Sequence, residues 1–279
     1  MKILITGGNS FISKEMQRFF DNKRFDLIPA SREVLNVSSK LDVDKFFKDN
    51  KIDFVVHTAI VGGKRGTPDT VTNLMRNIEM YNNLHSNRHR FKGLINFGSG
   101  AEFDRRFDIH NKKEEDILLD VPNDYYGMSK NLITRSILET EGFYNFRVFG
   151  CFGFFEEDQR LLRANYLKHV NGEDFQIHQN KFMDFISANN LCRLIEFYLL
   201  NHTEELHKDI NVVHKEKRTL KDLIFLLKNL TKSKSNVIIK EEEMGFSYTG
   251  ESSKICSYNI DLNNVEKEIN ECLINWKKS

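Results

Sequence analysis

The chain has 279 residues, 40% apolar and 29% charged, which suits one large or two small globular domains. Its 41 basic and 40 acidic side chains nearly cancel, so no basic excess points to nucleic acid, and no run approaches the ~20 apolar residues that span a bilayer. Four cysteines (Cys151, Cys192, Cys256, Cys272) form no C-x-x-C pair and no zinc spacing with histidine, which excludes a disulfide framework and a metal motif and fits a reducing, cytoplasmic setting.

The opening apolar run, residues 2–5, is too short for a signal peptide and stops at Thr6-Gly7-Gly8. It reads as a strand feeding a turn and then a helix. In such a turn free amides and the helix dipole favour an anion, and glycines serve the bend, close backbone approach and helix–strand packing. Gly7 and Gly8 keep the bend, while Ser10 and Ser13 stand at the other two places. The stretch fits a nucleotide site and equally an ordinary turn with Asn9 or Ser10 as helix cap.

The second strand, 25–28, runs on through Pro29-Ala30 to Ser31 and Arg32. An NAD site usually carries an acid there, whereas a hydroxyl and a guanidinium suit the 2′-phosphate of NADP(H). A solvated surface arginine is the plain alternative. Val43, Phe46, Phe47 and Ile52 lead into a third strand, 54–56, which ends at His57, Thr58 and Ala59. Small residues there let a cofactor lie close to the backbone, and His57 reads as a buried, satisfied histidine.

Leu74, Ile78, Tyr81 and Leu84 mark a helix that ends before Phe91, and the fourth strand, 93–97, delivers Ser99 just past its end. Tyr126, Leu132, Ile133, Ile137 and Leu138 mark the next helix. Tyr126 and Lys130 lie four apart and share its face. An ammonium beside a phenol lowers the phenol's pKa from ~10 and lets it exchange a proton with a carbonyl oxygen. A surface i,i+4 pair has the same spacing. A fifth strand follows at 146–149. Strands alternating with helices predict a parallel sheet covered on both faces.

Beyond Gly153 the pattern is mixed. Residues 159–170, 190–200 and 220–230 read as helices, and 175–178, 210–213 and 236–239 as short strands. Val265, Ile269, Leu273 and Trp276 form the core stripe of a last helix. The expected class is α/β: a Rossmann-type doubly wound parallel sheet over 1–153 plus about 182–202. A smaller, mixed substrate domain takes 154–181 and 203–279.

The glycine turn, the His57-Thr58-Ala59 end, Ser99 and Tyr126-x-x-x-Lys130, in that order, resemble the extended short-chain dehydrogenase/reductase (epimerase/dehydratase) family in its nucleotide-sugar branch. "MDFISANNL", from Met183, looks like that family's Arg-Asp/Glu-Phe segment. The stretch from Ser31 through Arg32, Leu35-Asn36 and Val61-Gly62-Gly63 is similar to GDP-L-fucose synthases and to NDP-4-keto-sugar reductases.

The resemblance implies roles. Gly7, Asn9, Ser10, Phe11 and Ile12 would cradle the pyrophosphate of NADPH, Ser31 and Arg32 its 2′-phosphate, and Thr58 and Ala59 would lie against it. Ser99 would polarise a keto group, Tyr126 would be the general acid, and Lys130 would hold the nicotinamide ribose and tune Tyr126. Gly100 would line the substrate side. The family's epimerising cysteine and histidine fall at Ala101 and Phe155, which cannot move a proton, and Glu156 and Glu157 are expected to face solvent. The family's diphosphate-gripping arginine falls at Met183, leaving Arg160, Arg163 or Lys181 to replace it. Gly150 stands where asparagine is usual, and Asn189 and Asn190 where acids are common.

The implied activity is NADPH-dependent reduction of a nucleotide-linked 4-keto sugar without double epimerisation. The alternatives are a 4-epimerase with bound NAD and a non-catalytic nucleotide binder. A homodimer through a four-helix bundle is expected, using helices near 73–84 and 126–140 with Met75, Met80, Leu132 and Ile133.

Overall fold

The structure, a computed structural model, describes residues 1–21, 25–63 and 66–277. The elements run β1 (Lys2–Thr6), α1 (Phe11–Phe19), β2 (Asp26–Ala30), α2 (Lys40–Asp49), β3 (Phe54–His57), α3 (Val71–Ser86), β4 (Gly93–Ser99), β5 (Ile109–Lys112), α4 (Tyr125–Leu138) and β6 (Phe143–Val148). They continue as β7 (Cys151–Phe152), α5 (Leu161–Val170), β8 (Phe175–Gln179), β9 (Ile186–Ser187), α6 (Ala188–Leu200), β10 (Asp209–Val212), α7 (Leu220–Thr231), β11 (Val237–Glu241), β12 (Tyr248–Gly250), α8 (Ser253–Ser257) and α9 (Val265–Trp276).

The central sheet has six strands in the order β10-β6-β4-β3-β1-β2, each pair parallel. Side chains alternate across β1 and divide between two cores. Ile3 and Ile5 pack with Met16 of α1 and with Leu191, Ile195 and Tyr198 of α6. Leu4 packs with Val43, Phe47, Tyr81, Leu84 and Ile133 from α2, α3 and α4. Apolar residues on both faces of one strand therefore demand helices on both sides, as the sequence predicts. Pro29 lies inside β2, the outer strand, where a missing N–H is tolerated.

The chain leaves β1 in both directions, to β2 on one side and β3 on the other. Ligand crevices form at such a reversal, at the carboxyl ends of the strands. That end carries Gly7 and Gly8 after β1, Thr58 after β3 and Ser99 at the end of β4.

A third core joins α5, α7 and α9 to β8: Leu162, Tyr166, Phe175, Leu223, Leu227, Ile269 and Trp276. β8 pairs with β11, and β5 with β12, beside the main sheet. One expectation needs correction. Residues 209–212, assigned to the C-terminal domain, pair with β6 and form the outer strand of the central sheet. All four cysteines are free thiols. Among the described residues no helix is long and apolar enough to cross a membrane, and no three His, Cys, Asp or Glu side chains are grouped to hold a metal.

Candidate active site

The turn after β1 has the conformation an anion cradle needs. Gly7 takes φ +68°, and a Cβ there would sit 3.0 Å from the Ala59 backbone. The β1 and β3 ends thus touch, which only glycine permits. Ser10 caps α1, its Oγ accepting from the Ser13 amide at 3.2 Å and meeting Thr58 Oγ1 at 2.8 Å. Ser13 is fully buried, and Gln17 donates to its hydroxyl at 3.2 Å. Each serine that replaces glycine therefore has a hydrogen-bond partner, and the helix still seats against the sheet. Ser31 and exposed Arg32 follow β2 on the same side of the sheet. An open turn, a helix N-terminus and a guanidinium fit a phosphorylated dinucleotide.

Ser99 ends β4, and Tyr126 and Lys130 lie in the first turns of α4. Asp124 caps α4 by accepting from the Gly127 amide at 2.8 Å and holds Arg105 at 2.7 Å. The Ser99 hydroxyl stands close enough to the Tyr126 phenol to favour its ionised form. Lys130 Nζ donates to the Phe97 carbonyl at 2.5 Å and stands 6.0 Å from the centre of the Tyr126 ring. Gly63, at φ +71°, lies so close to that ring that a Cβ would be 2.6 Å from it. The loop before Gly63 is tied down by Asn77, which accepts from the Val61 amide and donates to its carbonyl, both at 2.9 Å.

The electrostatics differ from the expectation that Lys130 lowers the tyrosine. Burial raises the Tyr126 phenol above its ordinary value, and Glu102 and Asp69 push the same way. The Ser99 hydroxyl and Arg105 oppose, but burial wins. Lys130 itself is brought down to about 8 by burial, with Glu102 opposing. Its ammonium faces a carbonyl and the ring, so it does not offset the cost of ionising the phenol. His57 is held near 3 by burial and by Lys130, and its Nδ1 meets Thr6 Oγ1 at 2.7 Å. It is the satisfied, neutral histidine that the sequence suggested.

Beneath Ser99 lies a buried ionic cluster with no prior sequence signal. Glu102 accepts from the Ser99 amide at 2.8 Å. Arg147, fully buried on β6, donates to Glu102 and to Asp209, each at 2.7 Å, and to Asn211 at 3.0 Å. This cluster fixes the backbone that presents the serine.

On the substrate side the candidates separate. Lys181 stands 5.7 Å from the centre of the Tyr248 ring, and Tyr248 OH lies 3.3 Å from Ser99 Oγ. Gly100 packs under that same ring. Lys181 and Gly100 therefore lie beside the Tyr248 ring that reaches Ser99. Arg105, which the sequence reading did not single out, acts electrostatically on both phenols and joins them. Arg160 lies 5.8 Å over the Phe11 ring and donates to the Cys151 carbonyl at 3.1 Å, beside the opening turn. Arg163 sits over Tyr166 and Trp276 and pairs with Asp158 at 3.2 Å, within the C-terminal core.

Ala101 is buried, and Phe155 packs edge-on against Phe154. Glu157 is exposed, but Glu156 is not, contrary to expectation. Its side chain is 1% accessible, with Arg160 Nε at 3.6 Å. Burial lifts its carboxyl to about 8.

Known proteins are similar to this chain in sequence and in fold. GDP-L-colitose synthase of Yersinia pseudotuberculosis is 28% identical over 239 residues, 76% of either chain. Among solved structures, a GDP-mannoheptose C4 reductase from Campylobacter jejuni with NADP bound superposes with TM-score 0.81 at 18% identity, over 99% of this chain and 98% of that one. A GDP-L-fucose synthetase from Naegleria fowleri bound to NADP gives 0.81 at 16% identity, over 99% and 92%. The model of the NAD dependent epimerase/dehydratase family matches residues 3–213, and with its parallel sheet, glycine turn and Ser99–Tyr126–Lys130 grouping the chain belongs to that family.

Proposed function

We propose that the protein reduces the 4-keto group of a nucleotide-linked sugar with NADPH. The observation that carries this reading is the convergence of Ser99, Tyr126 and Lys130 beside the turn formed by Gly7 and Thr58. The Ser99 hydroxyl and the turn that would cradle a dinucleotide both stand at carboxyl ends of strands of the one parallel sheet. Similarity to GDP-L-colitose synthase, and to reductase structures with NADP bound, supports the substrate and cofactor class.

When bound, the reduced dinucleotide supplies the hydride. Gly7, Asn9, Ser10, Phe11 and Ile12 hold its pyrophosphate, Ser31 and Arg32 its 2′-phosphate, and Thr58 and Ala59 its flank. Ser99 donates to the keto oxygen and Tyr126 delivers the proton that completes the alcohol. Lys130 holds the ribose and keeps a positive charge beneath the developing alkoxide. Lys181 and Arg105 sit at the mouth, where a sugar diphosphate needs cations. Arg160, beside Phe11, is placed to serve the turn side of the crevice. The C-terminal core, residues 154–181 with the segments after β10, frames the substrate.

The test is a panel of GDP-, CDP-, dTDP- and UDP-linked 4-keto sugars. We expect loss of nicotinamide absorbance at ~340 nm with at least one of them. NADPH is expected to outperform NADH, with Arg32→Ala weakening NADPH roughly tenfold, about one charge-assisted hydrogen bond. In deuterated solvent no deuterium should enter the carbons flanking the ketone, because the side chains of Ala101 and Phe155 can neither accept nor donate a proton. Tightly bound NAD in the purified protein, with no NADPH consumption, would sink the reading and favour a 4-epimerase.

A homodimer through α3 and α4 is part of the same proposal. The two helices pack together, with Met80 and Ile133 buried in the core and Met75 (61% accessible) and Leu132 (39%) facing outward. Sedimentation equilibrium should give a dimer, and Met75→Glu with Leu132→Glu should give a folded monomer. A monomeric parent protein would refute it.

A further inference from the structure

The Ser99 hydroxyl has more neighbours than a single proton can serve. The Ala101 amide donates to Ser99 Oγ at 3.2 Å. Tyr248 of β12 has this oxygen as hydrogen-bond partner, and Tyr126 of α4 is close enough for the same hydroxyl to favour its ionised form. The Tyr248 contact is 3.3 Å, and the two residues are 149 positions apart in the chain. A serine hydroxyl offers one proton and two lone pairs. With the Ala101 amide on one lone pair, the proton can point at Tyr126, and at a carbonyl beside it, only if Tyr248 donates to the other.

Tyr248 is held for that task. Its ring packs edge-on against Phe149 at 5.2 Å between centres. Gly100 lies beneath it, and β12 is paired with β5. The charged groups that face it are Lys181 from the loop after β8, Arg105 from the loop after β4, and Glu102 below. Burial is the largest influence on its phenol and keeps it protonated, and so able to donate, through neutral pH.

We propose that Tyr248 is a positioning residue: its phenol donates to Ser99 Oγ and so turns the Ser99 proton away from itself, toward Tyr126 in the free chain and onto the keto oxygen when a substrate is bound. The step moves no atom permanently. It sets the direction of one hydrogen bond and strengthens it, since a hydroxyl that accepts becomes a better donor. The inference rests on the assignment of Ser99 and Tyr126 to the ketone made above.

The test is a ¹⁹F NMR pH titration of the whole chain labelled with 3-fluorotyrosine, whose phenol titrates below that of tyrosine. The Tyr126 resonance is assigned as the one missing in Tyr126→Phe. In Tyr248→Phe the Tyr126 phenolate loses part of its support from Ser99, so its titration should move up by about half a pH unit or more. Ser99→Ala should move it up further, and adding Tyr248→Phe to Ser99→Ala should change nothing more. Repulsion between two phenolates would give the opposite sign, because removing Tyr248 would then lower the Tyr126 titration. No shift, a downward shift, or a shift that persists without Ser99 overturns the proposal.

Turnover is measured alongside. With a reducible sugar, Tyr248→Phe should lower kcat about five- to tenfold, the worth of one hydrogen bond. KM should move less than kcat, and the loss should vanish in the Ser99→Ala background. If no sugar on the panel is reduced while the titrations couple as stated, the reductase reading fails and the hydroxyl relay stands.

Discussion

Tyr126→Phe should lower kcat by about three orders of magnitude while leaving NADPH affinity within about twofold, as expected when a positioned general acid is lost. The ring is kept, so its contact with Gly63 and with the Lys130 ammonium survives. Only the phenolic hydroxyl is lost. Ser99 can still polarise a carbonyl, but its own proton is not acidic enough to complete an alcohol. Cofactor binding is read from NADPH fluorescence and turnover from absorbance. Unchanged turnover would show that another group supplies the proton.

The pH dependence separates Tyr126 from its lysine. The phenol lies above its ordinary value, so it is protonated and competent to donate throughout the neutral range. Lys130 titrates near 8 in the free chain. Below that value the cation is present under the site, and above it the cation is lost while the phenol still holds its proton. The expected basic limb of kcat/KM therefore lies near 8 and belongs to Lys130. In Lys130→Arg, which stays charged, that limb should move to higher pH. His57, neutral well above its value near 3, contributes no limb in the neutral range.

Periodicity made the nucleotide-binding half legible. Ile3, Leu4 and Ile5 announce a strand buried on both faces, and Gly7 marks where the turn after β1 closely approaches the Ala59 backbone that follows β3. The four-residue spacing of Tyr126 and Lys130 placed both on one helix. What stayed hidden depends on contacts distant in sequence. Tyr248 reaches Ser99 only because β12 docks on β5, and no local pattern foretells that pairing. Glu156 is expected in solvent beside Glu157, yet it is buried next to Arg160 and near Glu15, which the local sequence does not foretell. The direction of the Tyr126 shift was misjudged for a related reason. Spacing gives the distance to an ammonium but not the cost of burying the phenol, and that cost is the larger. Ser10 and Ser13, which looked like a damaged motif, keep the turn because Thr58 and Gln17 satisfy them.

The largest loss of stability is expected from Arg147→Met. The methionine fills much of the volume but leaves Glu102 and Asp209 facing each other in a fully buried site. Removing one partner of such a cluster costs about 3–5 kcal/mol, because the remaining charges are neither hydrated nor neutralised. The Phe103 ring, 4.9 Å from the guanidinium, also loses a cation. Burial already raises the Glu102 carboxyl, Asp209 raises it further, and Arg147 is the chief opposing influence. Without the arginine that carboxyl must bind a proton to remain buried. A group whose folded pKa is raised stabilises the fold at low pH and ceases to as pH rises through that pKa. The variant should therefore lose more stability at pH 8 than at pH 5, read from urea midpoints at both values. Adding Glu102→Gln and Asp209→Asn should recover much of the loss, since an uncharged cluster has no unpaired ion to bury. An equal loss at both pH values, or no recovery in the triple variant, would assign the cost to packing instead. Because Glu102 also accepts from the Ser99 amide at 2.8 Å, the same cluster that anchors β4 to β6 and β10 sets where the Ser99 hydroxyl stands.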